Sequence, residues 1–480
     1  MNSYHSLSTQ METKPTDTTP ATLVDGTNSR PVTRSKARSA GLRPIPQFFL
    51  LILLTLSIMT GCSSSDSATA PQADPLTDAE WIAFRDGDGA WQEIELPASK
   101  VFDFTDAGGD TFVTDPDGRY TLVSVRATAS NQQVEVFTLQ STTGEASQLD
   151  FSAVFPGDEQ ASLQVTVSGI ESDTRADLYL GNEDTGLGVN GTVTFTDSAG
   201  TYDLVATRSS LGSDLPTFLA ARRDLVLQAG LTTSENVDFT ATGADAPLAL
   251  TDQYTVSVNS AHPLDYGEVF LLTANGTAAS LGYESSSGSV AVAYMAVPSG
   301  GLAAGDHYMT RLSLEPDDDS YITYYEGFAS AGDRTVTPPG VFDGVSAPDT
   351  STGYLLPGLT GSTFPDAIGY TIQYRASGST IDYYFNCHIS TGWLDGTSGS
   401  VAFTMPDMHA VAGWESKWSI PLDADMVWAY ASAQAGSAGV SLTEFMQWYL
   451  IGAPRVEQGE WFASSANSDF GDSGEPMGLR

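Results

Sequence analysis

The stretch VTDPDGRYTLVSVR at residues 113–126 returns as FTDSAGTYDLVATR at residues 195–208, with seven of fourteen positions identical at an offset of 82. Each copy reads as a strand end, an Asp-containing turn with Gly at the tight position, and a return strand whose Tyr and Leu point inward. Those residues are Tyr120 and Leu122 in the first copy and Tyr202 and Leu204 in the second. The offset is the length of one small β-sandwich, so the repeat predicts sandwich modules following one another along the chain.

Outward from the repeat the same period of two recurs. Leu163, Val165 and Val167 alternate with polar residues, as do Tyr254, Val256 and Val258, and again Tyr370, Ile372 and Tyr374. One apolar face per strand means half-buried antiparallel sheet. Turn signals such as Asp117-Gly118, Asn275-Gly276 and Asp395-Gly396 punctuate the strands, and sustained helical periodicity is missing. The expected class is all-β, with tandem antiparallel β-sandwich domains in series. One short helix is the exception: Ser441-Leu-Thr-Glu444 is a capping box ahead of FMQWYL at 445–450, a run that fits a buried strand nearly as well.

Linker chemistry sets the expected boundaries. The repeat gives modules at 79–158 and 159–248, and the Pro- and Gly-rich segments TVTPPG (335–340) and SAPDTSTG (346–353) divide the remainder into 249–345 and 346–465. Residues 466–480 read as a flexible tail. The fragment G-x-Y-x-L after an Asp turn resembles the hairpin of carboxypeptidase-regulatory-like and related immunoglobulin-like bacterial modules. It covers about fourteen residues per copy, and it implies a sandwich fold and no activity.

Ahead of the modules, FFLLILLTLSI at 48–58 is an eleven-residue apolar run, the length of a signal h-region and short of the roughly 20 residues a membrane-spanning helix needs. Arg34, Lys36, Arg38 and Arg43 precede it, and Met59-Thr60-Gly61-Cys62 closes it. The whole resembles a bacterial lipoprotein leader, with Met59 where that family usually has Leu. The resemblance implies a leader at 1–61 (33–61 the signal proper), a diacylglycerol on the thiol of Cys62, and acylation of its new amino group. Residues 62–78, small, polar and Pro-containing, become a lipidated tether. Ser63 after the acylated cysteine implies the outer membrane, and the membrane is then a partner through the lipid anchor.

The chain carries 59 acidic against 20 basic side chains, a formal charge of −39, and only Lys100 and Lys417 remain as lysines beyond the leader. Such a surface repels phosphate backbones, which argues against nucleic-acid binding. With Cys62 lipidated, Cys387 has no disulfide partner and reads as a small buried hydrophobe.

Few residues advertise chemistry. His262, His307, His388 and His409 show no metal-ligand spacing. GDSGEP at 471–476 looks like the nucleophile motif of chymotrypsin-like serine proteases, but the family's A-A-H-C histidine segment is missing upstream and four residues follow Pro476, so no catalytic residue is assigned. Asp86-x-Asp88-Gly89 fails as an EF-hand loop, with Ala90 at the fifth position and Pro97 at the twelfth. Glu315-Pro316-Asp317-Asp318-Asp319 gathers hard oxygen ligands, making Asp317, Asp318 and Asp319 candidate calcium ligands, with a solvated turn as the competing reading. Six of the eight tryptophans fall in the last quarter of the chain. Trp414 and Trp418, with polar neighbours, are the candidate platform for a glycan or a protein partner, and core packing is the alternative. The function expected is structural, adhesive or ligand-binding, with carbohydrate binding or processing as the second possibility.

Overall fold

The computed structural model describes residues 76–469, except 96–99, 105–111, 151–159, 286–287, 318, 395–398, 443 and 445–455. All of them lie in one compact unit that starts at Ala73. The chain is all-β, as the alternation predicts. The first segment supplies β1 (Ala79–Asp86), β2 (Trp91–Glu93), β3 (Val101–Asp103), β4 (Arg119–Thr128), β5 (Gln133–Thr142) and β6 (Gln148–Asp150). The second supplies β7 (Gln160–Ser168), β8 (Thr174–Leu180), β9 (Glu183–Leu187), β10 (Gly191–Ser198), β11 (Gly200–Ser210), β12 (Pro216–Leu227), β13 (Thr232–Asp238) and β14 (Leu248–Ala249). The third supplies β15 (Gln253–Val258), β16 (Leu264–Leu272), β17 (Ala278–Glu284), β18 (Ala291–Met295), β19 (His307–Asp317), β20 (Ser320–Phe328) and β21 (Arg334–Val336). The fourth supplies β22 (Val345–Ser346), β23 (Tyr354–Leu355), β24 (Gly358–Gly361), β25 (Ala367–Ser377), β26 (Asp382–Ser390), β27 (Val401–Thr404), β28 (Ile420–Pro421), β29 (Asp425–Gly436) and β30 (Trp461–Asp469).

Side-chain alternation produces these strands. In β7 the inward positions are Ala161, Leu163, Val165 and Val167, all buried, and in β26 they are Tyr383, Phe385, Cys387 and Ile389. Each fully buried Leu or Val contributes about 1.5–3 kcal/mol, so one inverted register would forfeit a whole row of them.

The repeat is realised as two hairpin returns, β4 and β11. Leu122, Val123, Leu204 and Val205 are all fully buried. Gly118 takes the left-handed turn (φ +70°) that the Asp115 carboxylate closes by accepting the Asp117 amide at 2.8 Å. The copies diverge at their other shared residues. Tyr120 is sealed in the core and donates to the Ala146 carbonyl at 2.7 Å, whereas Tyr202 is half-buried and donates to Ser198 at 2.9 Å. Arg126 is exposed, but Arg208 is buried over Phe218 (4.4 Å) and donates to the Gly169 carbonyl.

The second segment closes as its own sandwich, with β10-β7-β13 facing β14-β12-β11-β8-β9. The other three segments merge their larger sheets into one of twelve strands, β17-β16-β19-β20-β30-β29-β25-β26-β5-β4-β1-β2. Two junctions make this sheet continuous. β20 pairs antiparallel with β30, and β26 pairs parallel with β5, setting Phe385 opposite Val136. The parallel pairing departs from the antiparallel expectation, as do β13 with β7 and β15 with β21. Joining edge to edge removes strand edges that would otherwise template aggregation.

Cores form on both faces of the long sheet. Val123, Val125, Val134 and Val136 share one core with Ile372, Tyr374, Phe385, Trp418 and Ala431, so the first and fourth segments are packed as one body. The tail expected from 466 is corrected at its start: Ala466 to Asp469 complete β30, which lies between β29 and β20, with Ala466 fully buried. The capping box also forms: Glu444 accepts the Ser441 amide at 2.7 Å while the Ser441 hydroxyl accepts the Glu444 amide at 3.2 Å. The run at 445–450 lies outside the described residues, as do Cys62, the leader and the GDSGEP segment.

Candidate functional site

The connection from β27 to β28 carries the densest polar chemistry in the fourth segment. Met405, Met408, Val411 and Trp418 sink into the shared core and fix its course. Between these anchors Asp407 accepts the His409 amide at 3.0 Å, a local turn that brings its carboxylate to His409 Nδ1 at 2.6 Å. His409 Nε2 lies 2.9 Å from Ser419 Oγ, and the Trp414 indole N–H donates to the same Oγ at 3.0 Å. Tyr354 stacks flat on the imidazole, centroids 3.8 Å apart.

Directionality follows from the donor inventory. An ionised Asp407 only accepts, so when the imidazole is neutral its one proton sits on Nδ1 and leaves Nε2 as an acceptor. Trp414 only donates, so the Ser419 proton is directed to Nε2. The result is an ordered chain, Trp414 to Ser419 to His409 to Asp407. Burial pushes the Asp407 carboxyl up, but hydrogen bonds and charge from His409 outweigh it and hold the group below its ordinary range.

Ser419 also opens onto a cleft of about 660 Å³, whose walls include Tyr354, Ser379, Tyr383, Lys417 and Asp423. Lys417 pairs with Glu415 at 2.8 Å. Burial, with the Asp423 carboxylate nearby, pushes the Tyr383 hydroxyl up to about 12. The cleft thus presents hydroxyls, carboxylates, one ammonium and aromatic rings together, the mixture that orients a polar ligand.

The residues singled out from sequence fall differently. Trp414 and Trp418 form a three-ring cluster with Trp81, at centroid separations of 5.6 to 5.9 Å. Trp418 is 2 % exposed and offers no ring face, so the platform expected of it is a core contact; Trp414 is half-buried and serves Ser419. Partly exposed rings lie elsewhere, on the large sheet, where Trp428 stacks on Tyr430 at 4.8 Å and Tyr321 meets Tyr430 edge-on at 6.2 Å. Asp317 accepts the Asp319 amide at 3.0 Å within the β19–β20 turn; Asp318 lies outside the described residues. Among the described residues no three His, Cys, Asp or Glu side chains converge as metal ligands. Asp86 likewise closes a loop, accepting the Thr114 and Asp115 amides at 3.0 and 2.9 Å.

Cys387 and His388 point to opposite faces of β26, as adjacent strand residues must. Both are buried. Burial pushes the Cys387 thiol up to about 12, which leaves it inert. His388 packs on Phe137 and bonds the Thr371 hydroxyl at 2.8 Å.

Sequence reading weighed His409 only as a metal ligand and passed over Asp407 and Ser419. Spacings of two and ten residues match no motif, and only the folded loop brings the three together. No protein-family model matches the chain, and no curated protein matches it.

Proposed function

We propose that this chain is a lipid-anchored outer-membrane protein that binds a small, hydroxyl-bearing ligand in the cleft of its fourth segment. The cleft carries the binding reading: about 660 Å³ of space lined by Tyr354, Tyr383, Lys417 and Asp423 sets aromatic rings beside charged and hydroxyl groups, a mixture that fits a hydroxyl-bearing molecule. The anchor rests on the lipobox at Cys62 and the polar tether after it. An acidic surface of net charge −39 supports a solvated body held off a membrane and disfavours nucleic acid as partner.

A glycan array probed with the soluble body, residues 76–469, tests the binding reading. Binding that falls at least about tenfold in Tyr354→Ala or Asp423→Ala, a loss of some 1.4 kcal/mol, places the ligand in the cleft. Binding lost instead in Trp428→Ala favours a second reading, in which the Trp428, Tyr430 and Tyr321 rings form a sugar-stacking strip. No binding to any glycan leaves the anchored protein with a structural or protein-partner role.

A further inference from the structure

We propose that Ser419, His409 and Asp407 are nucleophile, general base and positioning residue for hydrolysis of a small-acyl ester of a hydroxylated compound. The inference rests on the cleft being the ligand site and adds chemistry to it. Three observations combine. The Oγ to Nε2 and Nδ1 to Oδ1 distances, 2.9 and 2.6 Å, are those a Ser-His-Asp relay requires. Trp414 fills an acceptor position of the hydroxyl from outside the relay, so the serine proton is already aimed at the base. Ser419 is among the residues that line the cleft, next to space that a substrate can occupy.

Each step balances without a redox partner. Ser419 Oγ bonds to the ester carbonyl carbon while its proton passes to His409 Nε2. Collapse of the tetrahedral adduct breaks the bond to the alcohol oxygen, which leaves with that proton. Water then repeats the sequence on the acyl-serine, releasing the carboxylic acid and restoring the hydroxyl. Asp407 stays ionised throughout and holds the imidazolium that forms. Lys417 is the one cationic side chain on the cleft wall; it is paired with Glu415 and would have to leave that pair to meet the negative charge that develops on the carbonyl oxygen. Ser419 is only 5 % exposed, so a small acyl group is the substrate proposed for it.

A hydrogen-bonded chain that merely pins the loop would have the same distances, and reactivity separates the two. The soluble body is incubated with a biotinylated fluorophosphonate and the labelled peptide sequenced, with p-nitrophenyl acetate turnover followed from pH 5 to 9. Adduct on Ser419, its loss in Ser419→Ala, a fall of at least about a hundredfold in turnover in Asp407→Asn, and a rate that rises with deprotonation of a histidine support the relay. Wild-type protein that binds its glycan but takes no label at Ser419 overturns the relay and leaves the cleft reading intact. Label at Ser419 with no glycan bound supports the relay and sinks the cleft's proposed ligand. Unchanged tryptophan emission in the variants certifies that the Trp81, Trp414 and Trp418 cluster has not come apart.

Discussion

His388 shows how a single buried side chain sets the acid limit of the fold. Burial alone lowers its pKa to about 3, against an ordinary value of 6.5, so the imidazole is neutral in the folded protein. The sign follows from linkage: the unfolded chain takes up a proton below about pH 6.5 that the folded chain refuses until about pH 3, so stability is lost as pH falls through that window. At pH 4.5 the difference approaches about 3 kcal/mol. Chemical denaturation of the wild type and His388→Gln at pH 7.5 and 4.5 measures it. The variant is expected to be less stable at pH 7.5, from lost packing on Phe137, yet to lose less on acidification; equal acid losses in both proteins would assign the window to other groups. Cys387, its neighbour, is a probe for the same transition, since a thiol held in the core reacts with a disulfide reagent only once the sheet opens.

At the scale of elements, what could be read in advance is what local chemistry determines. Leu163, Val165 and Val167 declare β7 because inward and outward positions alternate within the strand itself, and Ser441 and Glu444 declare their capping bonds because the partners are three residues apart. Contacts made across the chain leave no such trace. Trp418, beside Glu415, Ser416 and Lys417, reads as either a ligand platform or a core residue, and what decides is burial against Trp81 from the other end of the sequence. The parallel pairing of β26 with β5 and the meeting of His409 with Ser419 were illegible for the same reason. The end of β30 is the sharpest case: small and polar after Trp461 and Phe462, it becomes strand because β20 and β29 each offer it an open edge. Ending the chain at Ser465 therefore removes paired backbone on both sides of the strand. With about 1 kcal/mol for each hydrogen bond lost, the truncation should cost several kcal/mol and lower the denaturation midpoint, compared with a chain ending at Asp469. Equal midpoints for the two would mean that Ala466 to Asp469 add nothing to the sheet.

For the whole molecule, the twelve-stranded sheet makes three segments one cooperative body, and the second segment joins it through apolar packing at Tyr179, Val205 and Leu219 and a polar cluster beside it. Arg223 is the centre of that cluster, 3.0 Å from Asp203 of its own sandwich and 2.6 Å from Asp306 of the third segment, while Asn275 donates to Asp203 at 3.0 Å. Asp203 is 1 % exposed. Burial pushes its carboxyl up, but donors from Asn275, Asp224, Thr273 and Arg223 outweigh this and hold it below the ordinary range, so its contribution is present above about pH 4 and lost as pH falls further. Removing one partner of a buried pair strands the other charge at a cost of about 3–5 kcal/mol, so Arg223→Ala should loosen the joint far more than it disturbs the long sheet. None of the eight tryptophans lies in the second segment. Tryptophan emission thus reports the fused body alone, and far-ultraviolet circular dichroism reports all of the strands. In the wild type the two signals should melt together. In Arg223→Ala, dichroism should fall before emission shifts, as the second sandwich unfolds ahead of the rest. Coincident melts in the variant would mean that apolar packing between the segments, through Tyr179, Val205 and Leu219, couples them without the ion pairs.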